Sequence, residues 1–245
     1  MARFRELKTL LLDCLVAADW EPRLADFDAT PAIQIVNPLL SFLSRAGEIK
    51  WRAVASLGRT VARLADSRLE DGRVVMRRLM WNLSEESGTL GWGSAETMAE
   101  IMACHPGLAN EFHRILCSYI HDSEREGLFL DHAPLRLGAY WGVGRLAVVR
   151  PELVAAAVPD LLDALAFEAD GGETTAAAIR GHAAWALGQI AGDGLRGAAS
   201  RLEALRNDPS ELELFKRWKL ETTSVGALSR EALDRNSFSL AQRVA

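Results

Sequence analysis

"IRGHAAWALGQIAG", residues 179–192, lies on "LRLGAYWGVGRLAV", residues 135–148, without a gap. Gly188 falls on Gly144, Trp185 on Trp141, Ala183 on Ala139 and Arg180 on Arg136. A third stretch, "IKWRAVASLGRTVA" at 49–62, joins the set with Gly58, Ala53 and Lys50 in the matching places. Gly144 and Gly188 stand 44 residues apart, and Gly58 precedes Gly144 by 86, two steps of 43. A missing copy therefore belongs near residue 100. There "GWGSAETMAEIMA" supplies Trp92 at the basic position, Ala95 at the alanine position and Glu100 where glycine would stand. A fifth, weaker copy is read in "RWKLETTSVGAL", residues 217–228, ending on Gly226. Units of about 40 residues repeated in tandem are the mark of a solenoid, because one helix pair cannot bury its apolar face alone.

The rest of the chain reads as helix. No alternating run of β-branched residues bounded by turn residues stands out as a strand. Thr30-Pro31, Arg150-Pro151 and Asp208-Pro209 mark helix starts, since proline fits the first turn, where its missing N–H costs nothing. Helices are expected near 31–45, 48–65, 70–83, 94–104, 107–121, 133–149, 151–167, 174–191, 195–206 and 209–226, with one more at each end of the chain. The domain is set at 1–236, and 237–245 is read as a frayed tail without apolar period.

Composition bounds the function. The 245 residues are 49% apolar and 25% charged, with a net charge of -5. That balance belongs to a soluble globular chain and argues against a general binder of nucleic-acid phosphates. No apolar run is long enough to span a bilayer, and Glu6, Lys8 and Asp13 break the N-terminal stretch that superficially resembles a signal peptide. Three scattered cysteines make no disulfide framework, so a cytoplasmic location is expected.

The stretch Arg180 to Ile190, Arg-x-x-Ala-Ala-x-Ala-Leu-Gly-x-Ile in pattern, resembles the first helix of HEAT repeats of the phycobilisome-lyase-like type. "AAAVPDLLDALAFE", residues 155–168, is similar to the second helix of such a unit. The resemblance covers 133–206 most specifically and 48–121 more loosely, and the segment around "WNLSEESG" resembles bacterial HEAT-repeat proteins. It implies an all-α, right-handed superhelix of about five helix pairs. It does not imply bilin chemistry, because the same repeat serves as a generic interaction scaffold.

Function is the harder reading. Stepping about 100° per residue puts Trp185, Gln189 and Gly188 on one side of their helix, with Trp141, Arg145 and Gly144 equivalent. These indoles either pack against the neighbouring repeat or line a surface. Arg77, Trp81, Asn82, Glu85, Glu86, Trp92, Arg136, Trp141, Arg145 and Trp185 are the candidates for one aromatic and charged groove, since tryptophan and arginine dominate interface hot spots. Glu85 and Glu86 close a helix where carboxylates oppose the macrodipole. The glycine-rich loop that follows is therefore expected to buckle against the helix starting near His132, through Glu–Arg pairs and tryptophan packing.

The role expected on this reading is a non-enzymatic scaffold that binds another protein. The alternative is an enzyme acting on a small ligand or nucleic acid in the same groove, lyase-like or resembling the HEAT-like DNA glycosylases. Those use concave tryptophans with an aspartate, whereas Arg145 and Gln189 follow Trp141 and Trp185 here. No catalytic residue is nominated and no cofactor is expected. His113, Cys117 and His121 share one helix stripe but span about 12 Å at 1.5 Å per residue, too far for one ion, so no metal is expected.

Overall fold

The computed structural model describes residues 2–84, 91–122, 127–168, 172–190 and 197–244, with the side chains of 2, 3 and 236–244 left aside. Five helices form a row in which each packs on the next: α4 (Gly47–Ser67), α6 (Ser94–Cys104), α8 (Ala133–Val149), α11 (Glu173–Gln189) and α13 (Val225–Val244). A second layer backs them. In it α5 (Leu69–Ser84) packs on α4 and α6, and α7 (Pro106–Ser118) on α6 and α8. Likewise α10 (Val158–Ala164), which follows the short α9 (Pro151–Val154), packs on α11, and α12 (Ala198–Ala204) packs on α13. The N-terminal helices α1 (Ala2–Val16) and α3 (Ala32–Leu40), with the short α2 (Trp20–Arg23) between them, close the end of the row at α4. This is the expected repeat solenoid of helix pairs.

The glycine positions explain the row. A Cβ on Gly58 would lie 2.5 Å from Glu100 Cγ, one on Gly144 would lie 2.5 Å from the Trp185 ring, and one on Gly188 would lie 2.9 Å from Ala232 Cα. Each is the point where one helix of the row meets the next, and nothing larger than hydrogen fits there. Glu100 occupies the repeat position that elsewhere is glycine, as the spacing required. Its carboxylate is 1% exposed in residue terms and is matched by Arg145, whose Nε and Nη2 donate to its two oxygens at 2.6 and 3.0 Å.

The C-terminal end departs from the expectation. Residues expected to continue a helix over 209–226 form an antiparallel hairpin, β1 (Glu211–Lys216) and β2 (Lys219–Ser224), with Lys216 paired to Lys219 across a two-residue turn. The proposed fifth copy at 217–228 therefore falls mostly on the hairpin. The fifth helix of the row is α13, and its close contact is Ala232, 44 residues past Gly188. The period holds; Gly226 was the wrong landmark.

The hairpin also explains the tryptophans. β1 packs on α11 and β2 on α4 and α13, so the hairpin lies across the inner row. Phe215 stacks on Trp51 of α4 at 5.2 Å and 8°, and Trp141 Nε1 donates to the Phe215 carbonyl at 2.9 Å. Trp51 and Trp141 also touch, with centroids 4.8 Å apart, and Trp185 stacks on Trp141 at 6.4 Å. The hairpin serves the row as a lid of its own chain, burying aromatic surface that helix pairs alone would leave facing water.

Candidate functional site

The eight groove candidates among the described residues are spread over more than one place in the fold. Arg77, Trp81 and Asn82 belong to α5, in the backing layer; Trp81 is 58% exposed and Arg77 pairs with Glu70 at 2.6 Å on the same helix. Glu85 and Glu86 lie outside the described residues. Trp92, 38% exposed, lies edge-on to His132 at 6.0 Å, and Gly91 rests against Leu135, so the end of that loop does meet the start of α8. Arg136 is buried. It donates to the Leu130 and Asp131 carbonyls at 2.5 and 3.1 Å and faces the Phe129 and Phe167 rings. That is a structural post for the loop before α8, and it presents no binding surface.

Trp141, Arg145 and Trp185 are brought together, but not as an open groove. Trp141 is 0% exposed and Trp185 is nearly so, which makes inter-repeat and hairpin packing their first role. They form the floor of a cavity of about 380 Å³ whose rim includes Lys216, Arg217 and Trp218 of the hairpin turn, with Glu231 and Arg235 of α13. Arg145 stays charged although burial opposes it, because its hydrogen bonds to Glu100 and the charge beside it outweigh the loss of water. Arg235 donates to Gln189 Oε1 and Glu231, and Lys216 lies 3.7 Å from Glu231.

The turn itself is unusual. Arg217 and Trp218 have φ of 49° and 64°, both in the left-handed region and neither glycine. A two-residue turn with both φ positive is the type I′ geometry, normally built from Asn-Gly or Asp-Gly. Trp218 is held edge-on by Trp20 at 6.0 Å and Phe215 at 6.5 Å. Arg217 is exposed, and its guanidinium has no hydrogen bond or ion pair among the described residues. Sequence reasoning missed this tip because the turn carries none of the usual turn residues. The available signal was "ELELFK", where Glu211, Leu212, Glu213 and Leu214 alternate out and in.

A second cavity, of about 460 Å³, opens on the other side of β1. Its polar lining includes Lys50, which donates to Glu96 at 2.6 Å, and His182. His182 is 2% exposed, and neither ring nitrogen reaches a partner at hydrogen-bonding geometry. Burial pulls its pKa down to about 4. The nearby Glu213 main chain opposes this shift, and the Lys50 charge adds to it. The ring is therefore neutral at pH 7, and neither of its nitrogens exposes surface to solvent.

The stripe of His113, Cys117 and His121 is not gathered. His113 Nδ1 contacts the Ala109 carbonyl, His121 pairs with Asp160 at 2.9 Å, and burial pushes the Cys117 thiol up to about 12. No group of three or more His, Cys, Asp or Glu suited to a metal ion occurs among the described residues. Nor is any helix among them long and apolar enough to cross a membrane.

Comparison with known proteins agrees with this architecture. The HEAT-like repeat family matches residues 133–190, which are α8 to α11 with the helices between. Among solved structures, a designed armadillo repeat protein superposes with a TM-score of 0.52 at 15% identity, over 96% of this chain and 92% of that one. An engineered protein solved as a structural-genomics target superposes with a TM-score of 0.50 at 15% identity, over 98% of both chains. No curated protein matches the sequence. Residues 133–190 thus match the HEAT-like repeat, and the chain as a whole has the fold of a helical repeat solenoid.

Proposed function

We propose that the chain is a non-enzymatic interaction scaffold, and that it receives an acidic segment of another protein at the hairpin tip. Repeat folds of this class suit the role because their inner row presents one long surface built of successive helices. The observation that carries the reading is the tip: an exposed Arg217 with no hydrogen bond or ion pair among the described residues and a half-exposed Trp218, each held at a backbone angle that side chains disfavour. Strain of this kind persists where the surroundings over-determine it, and it clusters at binding sites. The cavity beside the tip has four cationic side chains, Arg145, Lys216, Arg217 and Arg235, against two carboxylates, Glu100 and Glu231. In a chain of net charge -5 that local surplus favours an anionic partner over a cationic one. A cytoplasmic setting fits the three cysteines, all of them unpaired.

The test is quantitative affinity capture with wild-type protein and with Arg217→Glu and Trp218→Ala variants of unchanged melting temperature. A partner retained by the wild type and lost from both variants, with capture weakening as salt rises, supports the reading. A partner held equally by all three places the interface elsewhere. Capture of nucleic acid in place of protein would turn the reading to a nucleic-acid binder.

A further inference from the structure

The hairpin has two edges, and its own chain uses one of them. Lys216 and Lys219 close a two-residue turn with both φ positive, so they form a hydrogen-bonded pair, and the pattern alternates from there. Leu214–Glu221 and Leu212–Thr223 are then bonded pairs as well. Phe215–Leu220, Glu213–Thr222 and Glu211–Ser224 turn their main-chain groups outward instead. Two contacts agree with this alternation. The Val225 N–H donates to the Ser210 carbonyl at 3.0 Å, which is the next bonded pair, and the outward Phe215 carbonyl accepts from Trp141.

The outward edge of β1 rests on the row. Its Phe215 carbonyl meets Trp141 of α8, and its Glu213 main chain meets the His182 ring of α11. The outward edge of β2 is on the opposite side of the ribbon, and Lys219, Glu221 and Thr222 are exposed there. The outward N–H and C=O groups of Leu220 and Thr222 have no hydrogen-bond partner among the described residues. No bulge or proline interrupts the register of β2, so it offers a regular template to another strand.

Charge indicates what the template suits. At the turn end of this edge Arg217 and Lys219 are exposed, and neither has a hydrogen bond or ion pair among the described residues. Glu221 of β2 already lies 3.8 Å from Lys216. A residue added across from Lys219 would bring its Cβ to within about 5 Å, where a carboxylate is attracted and a cation repelled. A second copy of this chain fits poorly. Pairing two β2 strands around Thr222 sets no cation against a carboxylate, and pairing around Glu221 opposes like charges. Pairing around Leu220 does set Lys219 against Glu221, but leaves only Lys219–Glu221 of each strand in register.

We propose that β2 is a docking edge on which an extended acidic segment of a partner protein pairs as a third strand. Its main chain bonds Leu220 and Thr222, and one of its carboxylates sits opposite Lys219. The inference rests on the reading of the tip as a site for an acidic segment, and it names the form of that segment, a strand.

The probe is a capped ten-residue peptide alternating glutamate with valine, added to the full chain while amide hydrogen exchange is followed by NMR. Without peptide, the Leu220 and Thr222 amides should exchange fast and those of Glu221 and Thr223 slowly. Saturating peptide should slow Leu220 and Thr222 at least tenfold, and a peptide of equal charge with proline in place of valine should not. Methylating the valine main-chain nitrogens should abolish the protection and methylating those of glutamate should leave it, because only alternate amides of an added strand point at its neighbour. Thr222→Pro removes an outward N–H without touching a ladder bond, and should abolish binding at unchanged melting temperature, whereas Thr222→Val keeps it. If the proline variant does not fold, the methylated peptides decide. No protection, protection by the proline peptide, or any other methylation pattern would overturn the proposal. So would protection in the free chain that fades on dilution, which would give the edge to a second copy. A captured partner lost from Arg217→Glu but kept by Thr222→Pro would leave the tip reading standing and overturn the strand.

Discussion

Arg217→Asn puts the strained turn to a test whose sign runs against intuition. Removing a charged side chain from a surface usually changes stability by less than about 0.5 kcal/mol. Here the native φ is 49°, in the left-handed region, where a side chain costs roughly 1–2 kcal/mol and asparagine is the best tolerated after glycine. The arginine has no hydrogen bond or ion pair among the described residues to set against that gain. Asparagine should therefore recover about 1 kcal/mol. For a chain of this length that raises the melting temperature by about 2–4 °C, readable by circular dichroism at pH 7. The same variant should lose partner capture, because the free guanidinium has gone. Higher stability with weaker binding is what a strained binding tip predicts. A melting temperature that falls would show that Arg217 makes a stabilising interaction, and the strain argument would fail.

Three further outcomes follow from burial and charge. Trp141→Ala should cost about 3–5 kcal/mol, and more if the Phe215 carbonyl is left unpaired, whereas Trp81→Ala should leave the melting temperature within a degree or two; equal effects in thermal melts would contradict the assigned layers. Glu100→Ala leaves Arg145 without its carboxylate and should cost about 3–5 kcal/mol, while the double change Glu100→Ala with Arg145→Met should recover much of that in urea unfolding, since a buried pair is harder to break than to replace. His182 gives the acid limb its sign. Its folded pKa of about 4 lies below the ordinary 6.5, so between those values the unfolded chain holds the extra proton and stability falls as pH falls, by an amount on the order of 3 kcal/mol. In His182→Leu that part of the slope should vanish, and an unchanged urea midpoint difference between pH 7 and pH 4.5 would refute the assignment.

The repeat was legible because its cause is steric and local. Gly58, Gly144 and Gly188 recur since the row cannot close around a Cβ at those points, so the period appears in the letters themselves. Glu100 shows how far that logic extends: the letter is wrong, yet the spacing located it, because Arg145 supplies the compensation 45 residues away. The hairpin was illegible for the opposite reason. Turn recognition relies on residues that reach positive φ cheaply, whereas at Arg217-Trp218 the indole is held by Phe215 of the hairpin and by Trp20 from the far end of the chain. Tertiary contacts of that kind leave no mark within a short window. The cavities were hidden likewise, since each is framed by residues from four or more elements far apart in sequence.

That difference bears on how the aromatic inventory should be read. A run of Trp and Arg at repeat positions suggested a single open groove. Trp141 and Trp185 do face the neighbouring helices and the inner side, as their helix positions imply. Those positions do not reveal that the chain returns to cover that side. Once Phe215 stacks on Trp51 and accepts the Trp141 N–H, two indoles stop being available for contact and become the anchor for β1. Their burial fixes where the hairpin lies, and so sets Arg217 and Trp218 on one flank of it and His182 on the other. The tryptophans thus act on function at one remove: they position the element that carries the exposed charge and divides the inner face into two cavities of different chemistry. A substitution such as Phe215→Ala, which loosens the hairpin without removing a charged group, should therefore lower the melting temperature and weaken partner capture together, whereas Arg217→Glu should weaken capture alone.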